Sequence, residues 1–173
     1  MLNVNPNPIG REKTDDELKM QGEYLNRLAR ELNGLGLSLV IHFHDPEMRN
    51  NAREHRANLA NTEPHLVGFC IDFHWVLRGG QDPIMILRET GARARSLHVR
   101  NSVNGVWSET FGDGDIDYRQ VKTALDDIGY HGPLIVELAY EPQTHITRSL
   151  VENERLAREY AVRVFGEIKP NVI

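Results

Sequence analysis

Cysteine is almost missing from this chain: Cys70 is the only one in 173 residues. A lone thiol excludes an internal disulfide, a redox dithiol and any zinc motif built from paired cysteines. Long apolar runs are absent too. Stretches of five or six residues are the limit, far below the roughly 20 needed to cross a bilayer. No Lys/Arg block occurs; 20 Lys+Arg stand against 25 Asp+Glu, for a formal charge of −5. Without clustered positive charge to neutralise phosphates, no nucleic-acid partner is expected. No basic-then-apolar leader opens the sequence, so the expected location is cytoplasmic, away from membranes. What remains is ordinary for one globular domain with one sizeable core: 40% hydrophobic and 26% charged residues.

Met1 to Gly10, rich in Asn and Pro, reads as irregular chain. Thr14-Asp15-Asp16-Glu17 is a capping box, and Leu18, Gln21, Leu25, Leu28 and Leu32 follow at helical spacing, so an amphipathic helix is predicted up to Gly34 and Gly36. Four short apolar runs without polar alternation come next: Leu37–Ile41, Leu66–Ile71, Ser96–Val99 and Leu134–Val136. Continuous apolar strands suit a parallel sheet covered on both faces. Helices are predicted between them: one weakly patterned over Asn50–Ala60, one opened by Asp82-Pro83, one capped by Asp117 with Val121, Ala124, Leu125 and Ile128 inward. The last is expected over about 147–165, with Leu150, Leu156, Ala157, Tyr160 and Val164 inward. Strand and helix alternate every 25 to 40 residues, the rhythm of βα units in a single α/β domain spanning 1–173.

Each strand ends in a chemically useful residue. Ile41 is followed by His42-Phe43-His44-Asp45-Pro46-Glu47, Ile71 by Asp72-Phe73-His74-Trp75, Leu97 by His98, and Val136 by Glu137. The carboxyl ends of parallel strands are where α/β folds bind ligands. Asp72, His98, Glu137 and one group from the His42–Glu47 segment can therefore close around one divalent cation, with Mn²⁺, Co²⁺, Mg²⁺ and Zn²⁺ all compatible. Taken singly, each residue is more readily a structural polar strand end than a catalytic group. Glu137, set among Ile, Val, Leu and Ala, is the exception, because a buried carboxylate there needs a cation or an arginine.

The sequence resembles the sugar isomerase/epimerase (xylose-isomerase-like) TIM-barrel superfamily. The resemblance rests on Ile41 to Glu47, Cys70 to Trp75 running on to Gly79-Gly80-Gln81-Asp82-Pro83, Leu97-His98-Val99-Arg100-Asn101, Gly112-Asp113-Gly114-Asp115-Ile116-Asp117 and Gly132 to Glu137. It implies a metal held at the ends of barrel strands five to eight, with Asp72, His98 and Glu137 as three ligands. Either His42 or Glu47 would take the position where a glutamate is usual. It further implies His44 as a substrate-contacting or acid–base group, and a sugar-stacking or lid role for Trp75 next to His74 in the substrate wall. Arg100 then suits a carboxylate, phosphate or developing oxyanion, or alternatively a salt bridge to an acid such as Glu109. The Gly-Asp-Gly-Asp-Ile-Asp loop is read as a turn in which Asp117 caps a helix, and Arg78-Gly79-Gly80 as a weak anion cradle.

A closed (βα)₈ barrel takes about 250 residues. This chain supplies strands five to eight, with Asn3–Pro8 as the tail of strand four, so the expected fold is a half barrel truncated at its amino-terminal side. Open edges invite association, so a homo-oligomer or a missing N-terminal half is expected. The implied activity is metal-dependent isomerisation or epimerisation of a sugar or polyol-derived hydroxy-carbonyl compound by proton transfer through an enediolate. Glu137 would be the base, with His44 or Glu47 as second acid–base group. Ketose 3-epimerase chemistry relies on two opposed glutamates, so His42 at the first position shifts weight towards isomerase or dehydratase chemistry. Two alternatives stay open: a non-catalytic half-barrel fragment or assembly partner, and a dehydratase of the same superfamily. A multinuclear zinc endonuclease would need a basic groove, which the charge of −5 opposes.

Overall fold

The computed structural model describes residues 1–166. Its frame is a five-stranded, all-parallel sheet in the order β1 (Leu2–Val4), β2 (Leu39–Ile41), β3 (Val67–Asp72), β4 (Ala94–Val99), β7 (Leu134–Val136). A two-residue hairpin, β5 (Ser102–Val103) and β6 (Val106–Trp107), is inserted after β4. The helices are α1 (Asp15–Gly34), α2 (Asp45–Asn61), α3 (Phe73–Arg78), α4 (Pro83–Thr90), α5 (Tyr118–Asp127) and α6 (Leu150–Phe165). Strands that are sequential neighbours pair in parallel, which is the arrangement of half a TIM barrel. β2 and β3 are buried along their whole length, as expected for runs of Val, Ile, Leu and Phe covered on both faces.

The expected capping box forms. Glu17 N donates to Thr14 Oγ1 (3.2 Å), and Thr14 N donates to the Glu17 carboxylate (2.7 Å). Asp82, Asp117 and Ser149 cap α4, α5 and α6 in the same side-chain manner.

Several expectations are corrected. The irregular reading of Met1–Gly10 gives way to a strand over Leu2–Val4, which pairs residue for residue with β2 and overlaps the strand tail that the resemblance set over Asn3–Pro8. Leu28 is 38% exposed, since α1 packs through Gly22 and Ala29 instead. A Cβ on Gly22 would sit 2.6 Å from Asn61 Cβ, so α1 and α2 cross closely there. α6 begins at Leu150, which is 57% exposed, and its inner face is Asn153, Ala157, Tyr160 and Ala161. α2 begins earlier than predicted and is broken by Asn50, Asn51 and Ala52, all at positive φ, which explains its thin apolar stripe. The buried polar groups between α1 and α2 form a closed network. Lys13 Nζ reaches Gln21 (2.8 Å) and Glu54 (2.5 Å), and Gln21 Nε2 reaches Glu54 (3.0 Å) and Asn58 (2.8 Å).

Both outer strands of the sheet are short and partly open. Leu2 on β1 is 40% exposed and Ile135 on β7 is 43% exposed. Among the described residues no helix is long and apolar enough to cross a membrane.

Candidate metal centre

The parallel register places the strand-end residues side by side. Asp72 pairs with His98 across β3 and β4, and β7 runs beside β4 so that Glu137 N donates to Val99 O at 3.2 Å. His42, Asp72, His98 and Glu137 each offer a ligand atom, and the four atoms lie within 4.8 Å of one another. Asp72 Oδ2 is 3.7 Å from His42 Nε2 and 3.9 Å from His98 Nδ1. His98 Nδ1 and Glu137 Oε2 are 2.7 Å apart. His42 Nε2 is buried without a hydrogen-bond partner among the described residues, and the His98–Glu137 contact, though short, is not directed as a regular hydrogen bond.

Buried polar atoms are ordinarily paired, and leaving each one unpaired costs about 1–3 kcal/mol. The unpaired His42 nitrogen and the His98–Glu137 pair, converging with an Asp72 oxygen, fit a divalent cation, and two imidazoles with two carboxylates form a donor set that first-row ions accept. Glu47 is outside this group. It is buried, and its carboxylate accepts the backbone N–H of His44 at 2.8 Å, so it serves the first turn of α2.

The surrounding residues fix the cluster. Asp72 Oδ1 accepts the backbone N–H groups of His74 (3.0 Å) and Trp75 (3.1 Å), capping α3 and aiming Oδ2 at the centre. Arg100, 3% exposed, donates to Asp72 Oδ2 at 2.7 Å and lies 3.5 Å from Glu137 Oε1. Its partners are therefore these two acids; Glu109 instead binds Thr147 and Arg148. The Arg100 guanidinium also stacks on Trp107 (4.4 Å) and Trp75 (5.1 Å).

Glu137 is half-exposed, more open than its apolar neighbours suggest, because β7 lies at the edge of the sheet. His98 holds its carboxyl down at about 2, against the opposing effect of burial and with further help from Arg100. Burial opposes charge on the His98 ring, but contacts with Cys70 and Glu137 outweigh it and push the ring up to about 10. His44 is lowered, first by burial and then by the adjacent His42. The aromatic wall continues from His42 to His44 to Trp75, with ring centroids 5.0 Å apart at each step.

His74 is 1% exposed, and its Nδ1 accepts the indole N–H of Trp107 at 2.8 Å, so it stands behind the wall. Burial brings its ring down to about 4, helped by Arg78 and Arg100. Trp107 is a site residue with no forewarning in the sequence pattern. Its hairpin is held by Asp115, which accepts from Ser102 Oγ (2.7 Å), Asn104 N (3.0 Å) and Gly105 N (2.8 Å). Among the described residues Arg78 binds Glu141 and the Gly105 carbonyl, which draws its guanidinium away from a cradle at Gly79-Gly80. Asp117 caps α5, as the turn reading expects.

Comparison with known proteins agrees with the fold. The family model for the xylose isomerase-like TIM barrel matches residues 1–161. An inosose dehydratase of Geobacillus kaustophilus is 28% identical over an alignment of 170 residues, covering 87% of this chain and 54% of that protein. One from Clostridium tetani is 28% identical over 156 residues, covering 78% and 52%. The chain thus spans about half the length of the curated relatives it matches. Among solved structures, a sugar phosphate isomerase/epimerase from Parabacteroides distasonis superposes with a TM-score of 0.75 at 21% identity, covering 91% of this chain and 56% of that one. An IolI protein with a bound zinc atom gives 0.71 at 18% identity, covering 97% and 63%.

Proposed function

Because this chain belongs to the xylose isomerase-like TIM barrel family, we propose that it forms the metal-holding half of a dehydratase that removes water from an inosose or a similar polyhydroxy ketone. The observation that carries this reading is the convergence of His42, Asp72, His98 and Glu137 from four strand ends. Dehydration is favoured over isomerisation or epimerisation on two grounds. The curated relatives described above are inosose dehydratases, and an imidazole, His42, stands where a two-glutamate epimerase would place an acid.

His42 Nε2, Asp72 Oδ2, His98 Nδ1 and Glu137 Oε2 would hold the divalent ion, which would displace the proton that His98 carries against Glu137. The chemistry such an ion supplies when bound is polarisation of a ketone oxygen, which acidifies the neighbouring C–H bond. Glu137 remains ionised at neutral pH and, half-exposed, is the group that takes the carbon-bound proton. The pairing that keeps it ionised also lowers its basicity, so transfer depends on a strongly acidified C–H. Arg100 restrains both carboxylates by bridging Asp72 and Glu137. Trp75 and Trp107 shelter that ion pair from water by stacking on the Arg100 guanidinium. On the same reading, further strands from a second copy or another segment complete the open β1 and β7 edges, and sedimentation mass reports whether a second copy does so.

The test is to incubate the chain and an inosose with Mn²⁺, Co²⁺ or Zn²⁺ and follow the absorbance of a newly conjugated carbonyl. Glu137→Gln should lower turnover by about 10²–10⁴, the usual scale for general-base catalysis. Epimerised or isomerised substrate without water loss would contradict the dehydratase reading, as would full activity in Glu137→Gln.

A further inference from the structure

We propose that Asn5 is a positioning residue that fixes the ring hydrogen of His44 on Nε2, so that His44 donates a hydrogen bond to a substrate oxygen and does not act as a base. Its use in the reaction rests on the function proposed above; its content rests on geometry. Asn5 directly follows β1, and its amide nitrogen Nδ2 lies 2.8 Å from His44 Nδ1. A carboxamide nitrogen only donates, so Nδ1 must supply a lone pair and the neutral ring carries its hydrogen on Nε2. An imidazolium has no lone pair to offer and is incompatible with this bond.

The ring is held from other sides as well. His44 N donates to Glu47 Oε2 at 2.8 Å, and the ring stands edge-on to both His42 and Trp75. These bonds engage Nδ1 and the backbone nitrogen, leaving Nε2 without a hydrogen-bond partner among the described residues. An N–H beside the ligand cluster is suited to a ketone oxygen or departing hydroxyl that gains negative charge. The N–H bond itself stays intact, because a neutral ring losing that hydrogen would become an imidazolate. The proton removed from carbon goes to Glu137, which passes it to the departing hydroxyl, so that water leaves and the carboxylate is restored. The residue that directly follows the first strand of the sheet thereby contributes to the site through His44.

The experiment is a long-range ¹H–¹⁵N correlation of the imidazole nitrogens in the ¹⁵N-labelled full chain. It is run without substrate at about pH 9, where an ordinary imidazole is neutral, and His44→Gln assigns the signals by their loss. The expected wild-type pattern has the hydrogen on Nε2. Asn5→Asp replaces the donor with an acceptor and should move the hydrogen to Nδ1. With an inosose, Asn5→Asp should lower kcat about 10²-fold, the scale of losing one oxyanion donor, with little change in KM. A wild-type hydrogen on Nδ1, or a tautomer unmoved by Asn5→Asp, would overturn the assignment. A wild type that shows the Nε2–H pattern but dehydrates no inosose would overturn the proposed function and leave the Asn5–His44 assignment standing.

Discussion

His98, at the carboxyl end of β4, and His55, in the middle of α2, are imidazoles sheltered by the same core, yet their chemistry runs in opposite directions. His55 is 1% exposed, with the rings of Phe43 and Phe69 at 5.2 and 5.1 Å. Its Nε2 meets Thr90 Oγ1 at 3.1 Å, and because Thr90 donates onward to Ile86 O, the imidazole is the donor. Burial, only weakly opposed by Glu89, brings that ring down to about 4. His98 also suffers from burial, but Cys70 and Glu137 carry it up to about 10. Shelter sets the penalty for charge, and the neighbours decide whether charge appears. A buried histidine therefore points to a ligand site only where carboxylates share its space.

The largest effect comes from breaking the charged side of this contrast. Asp72→Ala takes from Arg100 its closer carboxylate, leaving only Glu137 at 3.5 Å, and uncaps α3, so a denaturant titration should show about 3–5 kcal/mol of lost stability, as for other broken buried pairs. A loss within about 1 kcal/mol would mean that Arg100 does not depend on Asp72.

The neutral side gives a smaller, pH-dependent effect. The folded state holds His55 at about 4 against an ordinary 6.5, so the unfolded chain binds the proton first as pH falls. Its contribution is complete above about pH 6.5, is lost as pH drops towards 4 and levels off below, on the order of 3 kcal/mol in all. His55→Leu strands no donor and should flatten that part of the stability–pH curve by removing the difference. An unchanged slope in the variant would show that His55 is not the group responsible.

The strands and the cluster were legible because fully covered strands leave uninterrupted apolar runs, and each run here stops at a His, Asp or Glu. The local capping chemistry of Thr14, Asp82 and Asp117 was equally readable. Other features leave no periodic signal or depend on contacts between distant segments. Phe73–Arg78 is too short to display a helical period, and its start is set by the Asp72 carboxylate. Trp107 enters the site on a four-residue ladder that Asp115, eight residues away, holds in place. β1 is largely exposed and carries Asn3, so pairing with β2, not composition, makes it a strand. The choice between His42 and Glu47 turned on one backbone N–H, that of His44, which claims the glutamate.

The central claim is that four strand ends share one cation, and calorimetric titration of the chain with Zn²⁺ or Mn²⁺ tests it most directly. The account expects roughly one ion per chain, with binding lost in His98→Ala. No binding by the folded wild type, or equal binding by the variant, would contradict it.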